Sequence, residues 1–162
     1  MDTSAISTDL LLLALITVAN GAPWLIGLWL GSQNARPVDG GRLLSDGQPL
    51  LGRSKTWRGL ATALAATPLL AMLFAWQPSL GLAVGAAAMI GDLSASYLKR
   101  RLGLAPSTNV PGLDQIPEAL FPALIATFWL ELDWRDLGFI VGAFFLGHLI
   151  TRRLIARFVR SL

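Results

Sequence analysis

Three polar residues that follow an apolar run are the first candidates for chemistry. Asp92 comes directly after a stretch of apolar and small residues, and Ser96 and Lys99 lie four and seven positions later. A helix would place all three on one face. A carboxylate next to lipid is unfavourable unless a cation or hydrogen-bond donors receive it. The spacing therefore predicts a metal ion at Asp92 with a phosphate-binding group one or two turns away. The competing interpretation is a structural ion pair with Lys99 or Arg100.

A second carboxylate, Asp114, lies in the segment PGLDQ at residues 111–115. Glycine and proline restrict this loop and would present Asp114 toward the end of the helix that carries Asp92. Two carboxylates beside basic groups suit magnesium-assisted nucleotidyl transfer, because Mg²⁺ bridges phosphate oxygens and neutralises charge on the leaving pyrophosphate. The competing interpretation is a solvated loop carboxylate.

Basic and hydroxyl side chains also converge before another predicted helix, in the segment LGRSKTWRG at residues 51–59. A helix start offers unpaired N–H groups and partial positive charge, and Lys55 and Arg58 add full charges, so this segment is suited to binding phosphate. It lacks the glycine spacing of a Walker A loop. The alternative is a basic cluster beside a membrane that only orients the protein.

Apolar segments of membrane-spanning length position these groups. The 162-residue chain is 54% hydrophobic and only 14% charged, unlike a typical water-soluble domain. It has no cysteine, which excludes disulfides and thiolate chemistry. We predict an all-α, multi-pass protein of the cell membrane, with one integral domain of about five transmembrane helices. The predicted spans are residues 10–30, 58–76, 80–98, 118–132 and 137–155, with polar loops at 31–57 and 99–117.

The distribution of basic residues predicts the orientation of the bundle. Of the 13 lysines and arginines, all except Arg135 fall in or beside the two polar loops or in the C-terminal tail. Five spans place these groups on one side, which the positive-inside rule makes cytoplasmic, so the N-terminus is expected outside. The basic groups accompany apolar segments, where they meet lipid headgroups, and no nucleic-acid partner is expected.

Five motifs that occur in order between residues 20 and 115 together resemble the CDP-archaeol synthase family. The motifs are NGAP at 20–23, DGGR at 39–42, GRSKTWRG at 52–59, GDLSASYLKRRLG at 91–103 and PGLDQ at 111–115. The last two are also similar to a shortened form of the bacterial CDP-diglyceride synthase signature, without its Lys-Asp pair and its His-Gly-Gly. The resemblance thus covers the central part of the chain.

The resemblance implies transfer of a cytidylyl group from CTP to a membrane lipid phosphate in phospholipid biosynthesis, with Mg²⁺ as cofactor. The lipid would be digeranylgeranylglyceryl phosphate or a phosphatidate-like molecule, and the products a CDP-lipid and pyrophosphate. Asp92 and Asp114 are the implied metal ligands, and both share the catalytic role with Lys55. The groups implied to bind the substrates or to shape the site are Ser54, Thr56, Arg58, Ser96, Lys99, Arg100, Asp39 and Asn20.

A different class of protein stays open as an alternative. In a non-catalytic small transporter or assembly partner, the basic loops would set topology only, and Asp92 would form a structural pair. CDP-alcohol phosphotransferases, which act on related lipids, carry an Asp-Gly-x-x-Ala-Arg pattern. The sequence lacks it, because Asp39-Gly40 is followed by Gly41-Arg42.

Overall fold

Five α-helices make up the protein in a computed structural model that describes residues 3–105, 108 and 110–160. The helices are α1 (Thr3–Leu30), α2 (Trp57–Leu73), α3 (Pro78–Arg101), α4 (Gln115–Ala126) and α5 (Trp134–Arg160). The described ranges contain isolated β-bridges but no named strand. The prediction of an all-α bundle of about five helices is therefore confirmed.

Three of the helices are long and apolar enough to cross a membrane, namely α1, α3 and α5. The other two are shorter, with 17 residues in α2 and 12 in α4. At 1.5 Å per residue, α4 is only about 18 Å long, which is less than the thickness of a bilayer core. The run predicted at 118–132 is helical only to Ala126, because the following turns tighten into i→i+3 hydrogen bonds at Phe128 and Trp129.

The central helix of the bundle is α3. Of its apolar span 56% is buried inside the protein, against 22% for α1 and 11% for α5. Its glycines allow neighbouring helices to approach closely. A Cβ atom added to Gly81 would lie 2.6 Å from Pro68 Cα, and one added to Gly85 would lie 2.3 Å from Thr67 Oγ1. Larger side chains would push α2 away from α3.

A third glycine of α3 brings α4 into contact. A Cβ atom on Gly91 would lie 2.2 Å from Pro117 O and 2.9 Å from the backbone nitrogen of Glu118. Helices α3 and α4 therefore touch through their backbones at this point. As a result, the first turn of α4 lies directly beside Asp92.

The apolar core fixes α1 against the rest of the bundle. Leu12, Leu15, Ile16 and Ala19 are fully buried, and their spacing places them on one helical face. They pack with apolar side chains of α2 to α5 in two neighbouring clusters. Because α1 is held in this way, its C-terminal end is positioned to meet the first polar loop.

Candidate active site

An ion pair joins the first polar loop to α3. Lys55 Nζ lies 2.5 Å from Asp92 Oδ1, and the two side chains are 20% and 19% exposed. Asp92 thus has a cationic partner, although it is not Lys99 or Arg100, which the sequence suggested as structural partners. Those two basic side chains instead bind the second polar loop. Since the Lys55–Asp92 pair is partly open, a ligand can reach it.

A third charged residue at this point, Glu118, was not predicted from the sequence. Its side chain lies within hydrogen-bonding reach of the Asp92 carboxyl and interacts electrostatically with Lys55 and Asp114. The close contact at Gly91 explains this arrangement, because it places the first turn of α4 against α3. A sequence signal did exist: Glu118 is an acidic residue beginning an apolar run, four positions after Asp114.

The pair formed by Asp92 and Glu118 has the chemistry of a divalent cation site. Two neighbouring carboxylates repel each other unless a cation or a proton lies between them. Mg²⁺ prefers carboxylate oxygens and is commonly held by one or two of them together with substrate phosphates. The described residues contain no group of three His, Cys, Asp or Glu side chains that could hold a metal. Phosphate oxygens and water would therefore complete the coordination.

Asp114 lies in a second, separate ion pair. Lys99 Nζ lies 2.6 Å from Asp114 Oδ1, and the two side chains are only 9% and 10% exposed. Lys99 also donates a hydrogen bond of 3.0 Å to Thr108 O, and Val110 N donates to Asp114 Oδ2 over 3.1 Å. These contacts fix the second polar loop to the end of α3. Among the described groups, Glu118 is close enough to interact with both Asp92 and Asp114.

Arg100 is buried with spare hydrogen-bond donors. The residue is 2% exposed, and its Nη2 donates a 2.9 Å hydrogen bond to Ala105 O. Its Nε and Nη1 have no hydrogen-bond partner in the part of the chain that the structure describes. Ser96, which is also buried, lies one helical turn earlier. An anion would satisfy these guanidinium donors, which are unfavourable when buried and unpaired.

Asp39 organises the first polar loop. Its Oδ1 accepts a 2.9 Å hydrogen bond from Gly41 N, and its Oδ2 accepts bonds of 2.9 Å from Leu51 N and Gly52 N. Burial raises the pKa of the Asp39 carboxyl, but the backbone donors outweigh burial and lower this pKa below its ordinary value. Because the carboxylate is occupied by its own loop, Asp39 shapes the loop that carries Lys55.

Two of the predicted substrate-binding residues stabilise helix ends. Thr56 Oγ1 accepts a 3.1 Å hydrogen bond from Gly59 N and caps the start of α2. The Arg58 guanidinium donates to Gln33 O and to Gly31 O, and thereby satisfies carbonyls at the end of α1.

The two remaining predicted substrate-binding residues are Asn20 on α1 and Ser54 in the first polar loop. Asn20 donates a 2.9 Å hydrogen bond from its side-chain nitrogen to Ile16 O, one turn back in α1. Ser54 is exposed and directly precedes Lys55. Of the hydroxyl and amide candidates near the first loop, Ser54 is therefore the one placed to meet an incoming ligand beside Lys55.

The two polar loops meet at the end of α3. Arg101 forms an ion pair with Asp46 of the first loop and donates a 2.7 Å hydrogen bond to Pro49 O. Its neighbours Lys99 and Arg100 hold the second loop. The loops are thus fixed to one helix, and the charged groups lie at the same end of the bundle.

This fold and site define a multi-pass membrane protein with charged groups gathered at one end of a helical bundle. A solved intramembrane enzyme for archaeal membrane lipid biosynthesis has a similar fold, with a TM-score of 0.72 and 29% sequence identity over 88% of this chain and 90% of that one. A CDP-archaeol synthase from Halorubrum lacusprofundi is 41% identical over 135 residues, covering 72% of this chain and 69% of the relative. The chain belongs to the CDP-archaeol synthase family, as the five motifs predict.

Other relatives match a smaller part of their own length. CDP-archaeol synthases from Hyperthermus butylicus and Pyrococcus furiosus are 40% and 36% identical over 104 and 107 residues, respectively. The chain spans 59% and 60% of the length of these two relatives. No protein-family model matches the sequence.

Proposed function

We propose that the protein transfers a cytidylyl group from CTP to a membrane lipid phosphate. The observation that carries this proposal is the cluster of Lys55, Asp92 and Glu118, where polar loops meet an apolar bundle. A lipid phosphate and a nucleoside triphosphate would both place anionic phosphates at this boundary between the polar loops and the apolar helices. Membership in the CDP-archaeol synthase family supports the same reaction.

The reaction joins the two substrates through one phosphate. An oxygen of the lipid phosphate attacks the α-phosphorus of CTP, and the bond between that phosphorus and the oxygen bridging to the β-phosphate breaks. Pyrophosphate leaves with this oxygen, and the CDP-lipid remains in the membrane. No strong general base is required, because the attacking phosphate is already ionised at neutral pH. Positioning and charge neutralisation are therefore the main tasks of the protein.

Each charged group has a place in this proposal. Asp92 and Glu118 would hold Mg²⁺, while Asp114, which the resemblance also implies as a ligand, pairs with Lys99 and holds the second polar loop beside them. When bound, Mg²⁺ neutralises charge that develops on the leaving pyrophosphate. Lys55 supplies a positive charge at the same point and donates to a phosphate oxygen. Arg100 offers its two unpaired donors to another phosphate oxygen.

The decisive experiment is a transfer assay on the purified protein in detergent. Labelled CTP, Mg²⁺ and either an ether-linked or a diacyl lipid phosphate are supplied, and formation of a labelled CDP-lipid is measured. We expect product with at least one lipid phosphate and none when Mg²⁺ is chelated. If the folded protein neither forms product nor binds CTP, the proposed function is wrong, and a non-catalytic membrane protein is the better interpretation.

Variants of the two aspartates assign the activity to this site. Asp92→Asn and Asp114→Asn should each abolish turnover while the helical content stays close to that of the unchanged protein. Asp114→Asn should also lower the melting temperature, because Lys99 loses a nearly buried counter-ion. Glu131→Gln is the matched control, because Glu131 is an exposed carboxylate outside the cluster. Full activity in either asparagine variant would remove that aspartate from the site.

A further inference from the structure

An apolar groove lies between α3 and α4, further from the polar loops than Asp92 and Glu118. Its volume is about 280 Å³. Ile90 lies two residues before Asp92, and Phe121 lies three residues after Glu118. The lining residues are all apolar: Ala87, Ile90, Phe121, Leu124, Ile125 and Phe128.

The packing of the two helices explains why a groove forms at this place. Helices α3 and α4 are in backbone contact at Gly91, so they cannot separate beside the charged cluster. Beyond this contact, Ala87 contributes only a methyl group to the floor, while Phe121 lies on α4 and Phe128 follows the end of that helix. Phe121 and Ile125 are four residues apart on α4, and the groove is therefore at least about 6 Å long at 1.5 Å per residue.

We propose that this groove binds the part of a hydrocarbon tail of the lipid phosphate that is nearest to the glycerol. The inference rests on the proposed function, and it names the place where the lipid substrate enters that site. With the phosphate at Lys55, the tail must pass from a polar cluster into the bilayer without exposing methylene groups to water. The groove offers this path because its walls are the same helices that carry Asp92 and Glu118.

A second cavity does not fit the tail. It is lined by residues near the connection between α2 and α3, including Trp76, Gln77 and Leu80. Leu80 lies twelve residues before Asp92 on the same helix, which corresponds to about 18 Å. That cavity is therefore at the opposite end of α3 from the charged cluster.

The chemistry of the lining residues limits which differences between lipid phosphates the groove can recognise. Its lining side chains carry no hydrogen-bonding group, so they cannot recognise the carbonyl of an ester. The groove therefore cannot select lipid phosphates by ether or ester linkage.

Filling the groove from an exposed position tests this proposal. Leu124→Trp and Ile90→Trp add bulk at residues that face lipid and that are 46% and 56% exposed. We expect each to raise the KM for lipid phosphate in mixed micelles by about tenfold, with the KM for CTP unchanged. Leu69→Trp is the matched control, because Leu69 is an exposed leucine on α2 outside the groove. If both groove variants behave like Leu69→Trp, the proposal is wrong.

Photo-crosslinking tests lipid binding in the groove independently of enzyme activity. A lipid phosphate with a photoactivatable diazirine on the tail, close to the glycerol, is irradiated with the full-length protein in detergent. We expect labelling of α3 and α4 that excess lipid phosphate suppresses and an equal amount of neutral diacylglycerol does not. Equal suppression by both lipids, or labelling mainly of α1 and α5, would overturn the groove assignment. Absence of CDP-lipid in the transfer assay would instead contradict the proposed function.

Discussion

Glu118 changes the charge balance around Asp92. The cluster brings the carboxyl groups of Asp92 and Glu118 together with the Lys55 ammonium group, and a bound cation would favour the ionised form of both carboxyl groups. The cluster depends on three segments of the chain that are distant in sequence. Substituting Lys55, Asp92 or Glu118 should lower turnover more than it lowers the stability of the fold, because each of these side chains is at least partly exposed.

Replacing Glu118 with Gln tests this charge balance. The amide keeps the size of the side chain and removes its negative charge, so Mg²⁺ should bind more weakly at Asp92. We expect kcat to fall by about a hundredfold and the Mg²⁺ concentration for half-maximal rate to rise. Glu131→Gln should leave both values unchanged. Unaltered Mg²⁺ dependence in Glu118→Gln would show that the carboxylate is not part of the cation site.

The ionisation of Asp39 should make the stability of the folded protein depend on pH. Since its pKa in the folded protein is below the ordinary value of 3.8, the carboxylate stabilises the fold above that value. This contribution is lost as the pH falls through the lower, folded-state pKa. Asp39→Asn should therefore reduce stability at pH 7 by about 1–3 kcal/mol, because backbone donors lose a charged acceptor.

Melting temperatures in detergent at several pH values measure this effect. The difference between the unchanged protein and Asp39→Asn should be full at pH 7 and should shrink when the pH falls below 3.8. Glu131→Gln serves as the comparison, because Glu131 is an exposed carboxylate outside this loop. A constant difference across this range would contradict a role for the ionised Asp39 carboxylate.

Side-chain types alone predicted part of the candidate site. Asp92 and Lys55 were singled out because a carboxylate in an apolar segment and a basic loop before a helix are unusual. Glu118 was missed because its partner is defined by packing between two helices and not by sequence spacing. Arg58 was predicted to bind phosphate, but its guanidinium donates to carbonyls at the end of α1, a contact between residues that are distant in the chain.

At the level of helices, Gly91 determines how α3 meets α4. Its missing side chain permits the backbone contact with Pro117, and this contact holds Glu118 against Asp92. The sequence alone does not specify which glycine faces which neighbour, because several faces of α3 carry glycine or alanine.

Gly91→Ala should force α3 and α4 apart, because the added Cβ would lie 2.2 Å from Pro117 O. We expect a loss of about 1–3 kcal/mol of stability and a large loss of turnover, since Glu118 would move relative to Asp92. Gly142→Ala on α5 is the matched control, because its Cβ would meet no atom within 4 Å. Thermal unfolding and the transfer assay measure the two effects. Equal melting temperatures for both variants would contradict the tight contact.

The helices themselves were the most predictable feature of the fold. Long apolar runs interrupted by polar loops predicted five helices, because backbone groups in a bilayer must be satisfied within a segment. The end of α4 was less predictable, since residues up to Leu132 are mostly apolar and only the local hydrogen bonds show that the helix ends at Ala126.

For the whole molecule, orientation in the membrane is a prediction from the basic residues. Because the chain has no cysteine, single cysteines can report it directly. Ser45→Cys places a thiol in the first polar loop, and Ser79→Cys places one at the start of α3, at the other end of α2. Both positions are exposed.

A membrane-impermeant maleimide should label Ser79→Cys in intact cells and Ser45→Cys only after the membrane is opened. This outcome would agree with cytoplasmic polar loops and an external N-terminus. The reverse order of labelling would mean that the bundle is inverted, and it would leave CTP on the wrong side of the membrane for the proposed reaction.

The last turn of α3 has a further consequence for the molecule as a whole. Lys99, Arg100 and Arg101 are consecutive, so they point in directions that differ by about 100° around the helix axis. Each therefore reaches a different partner: Asp114, Ala105 and Asp46. The separation of seven positions between Asp92 and Lys99 fixes the angle around the helix axis between the Asp92 carboxylate and these three basic side chains. Deleting one residue between Asp92 and Lys99 would rotate Lys99, Arg100 and Arg101 together by about 100° relative to Asp92. Both polar loops would then lose their positions relative to the Asp92 carboxylate.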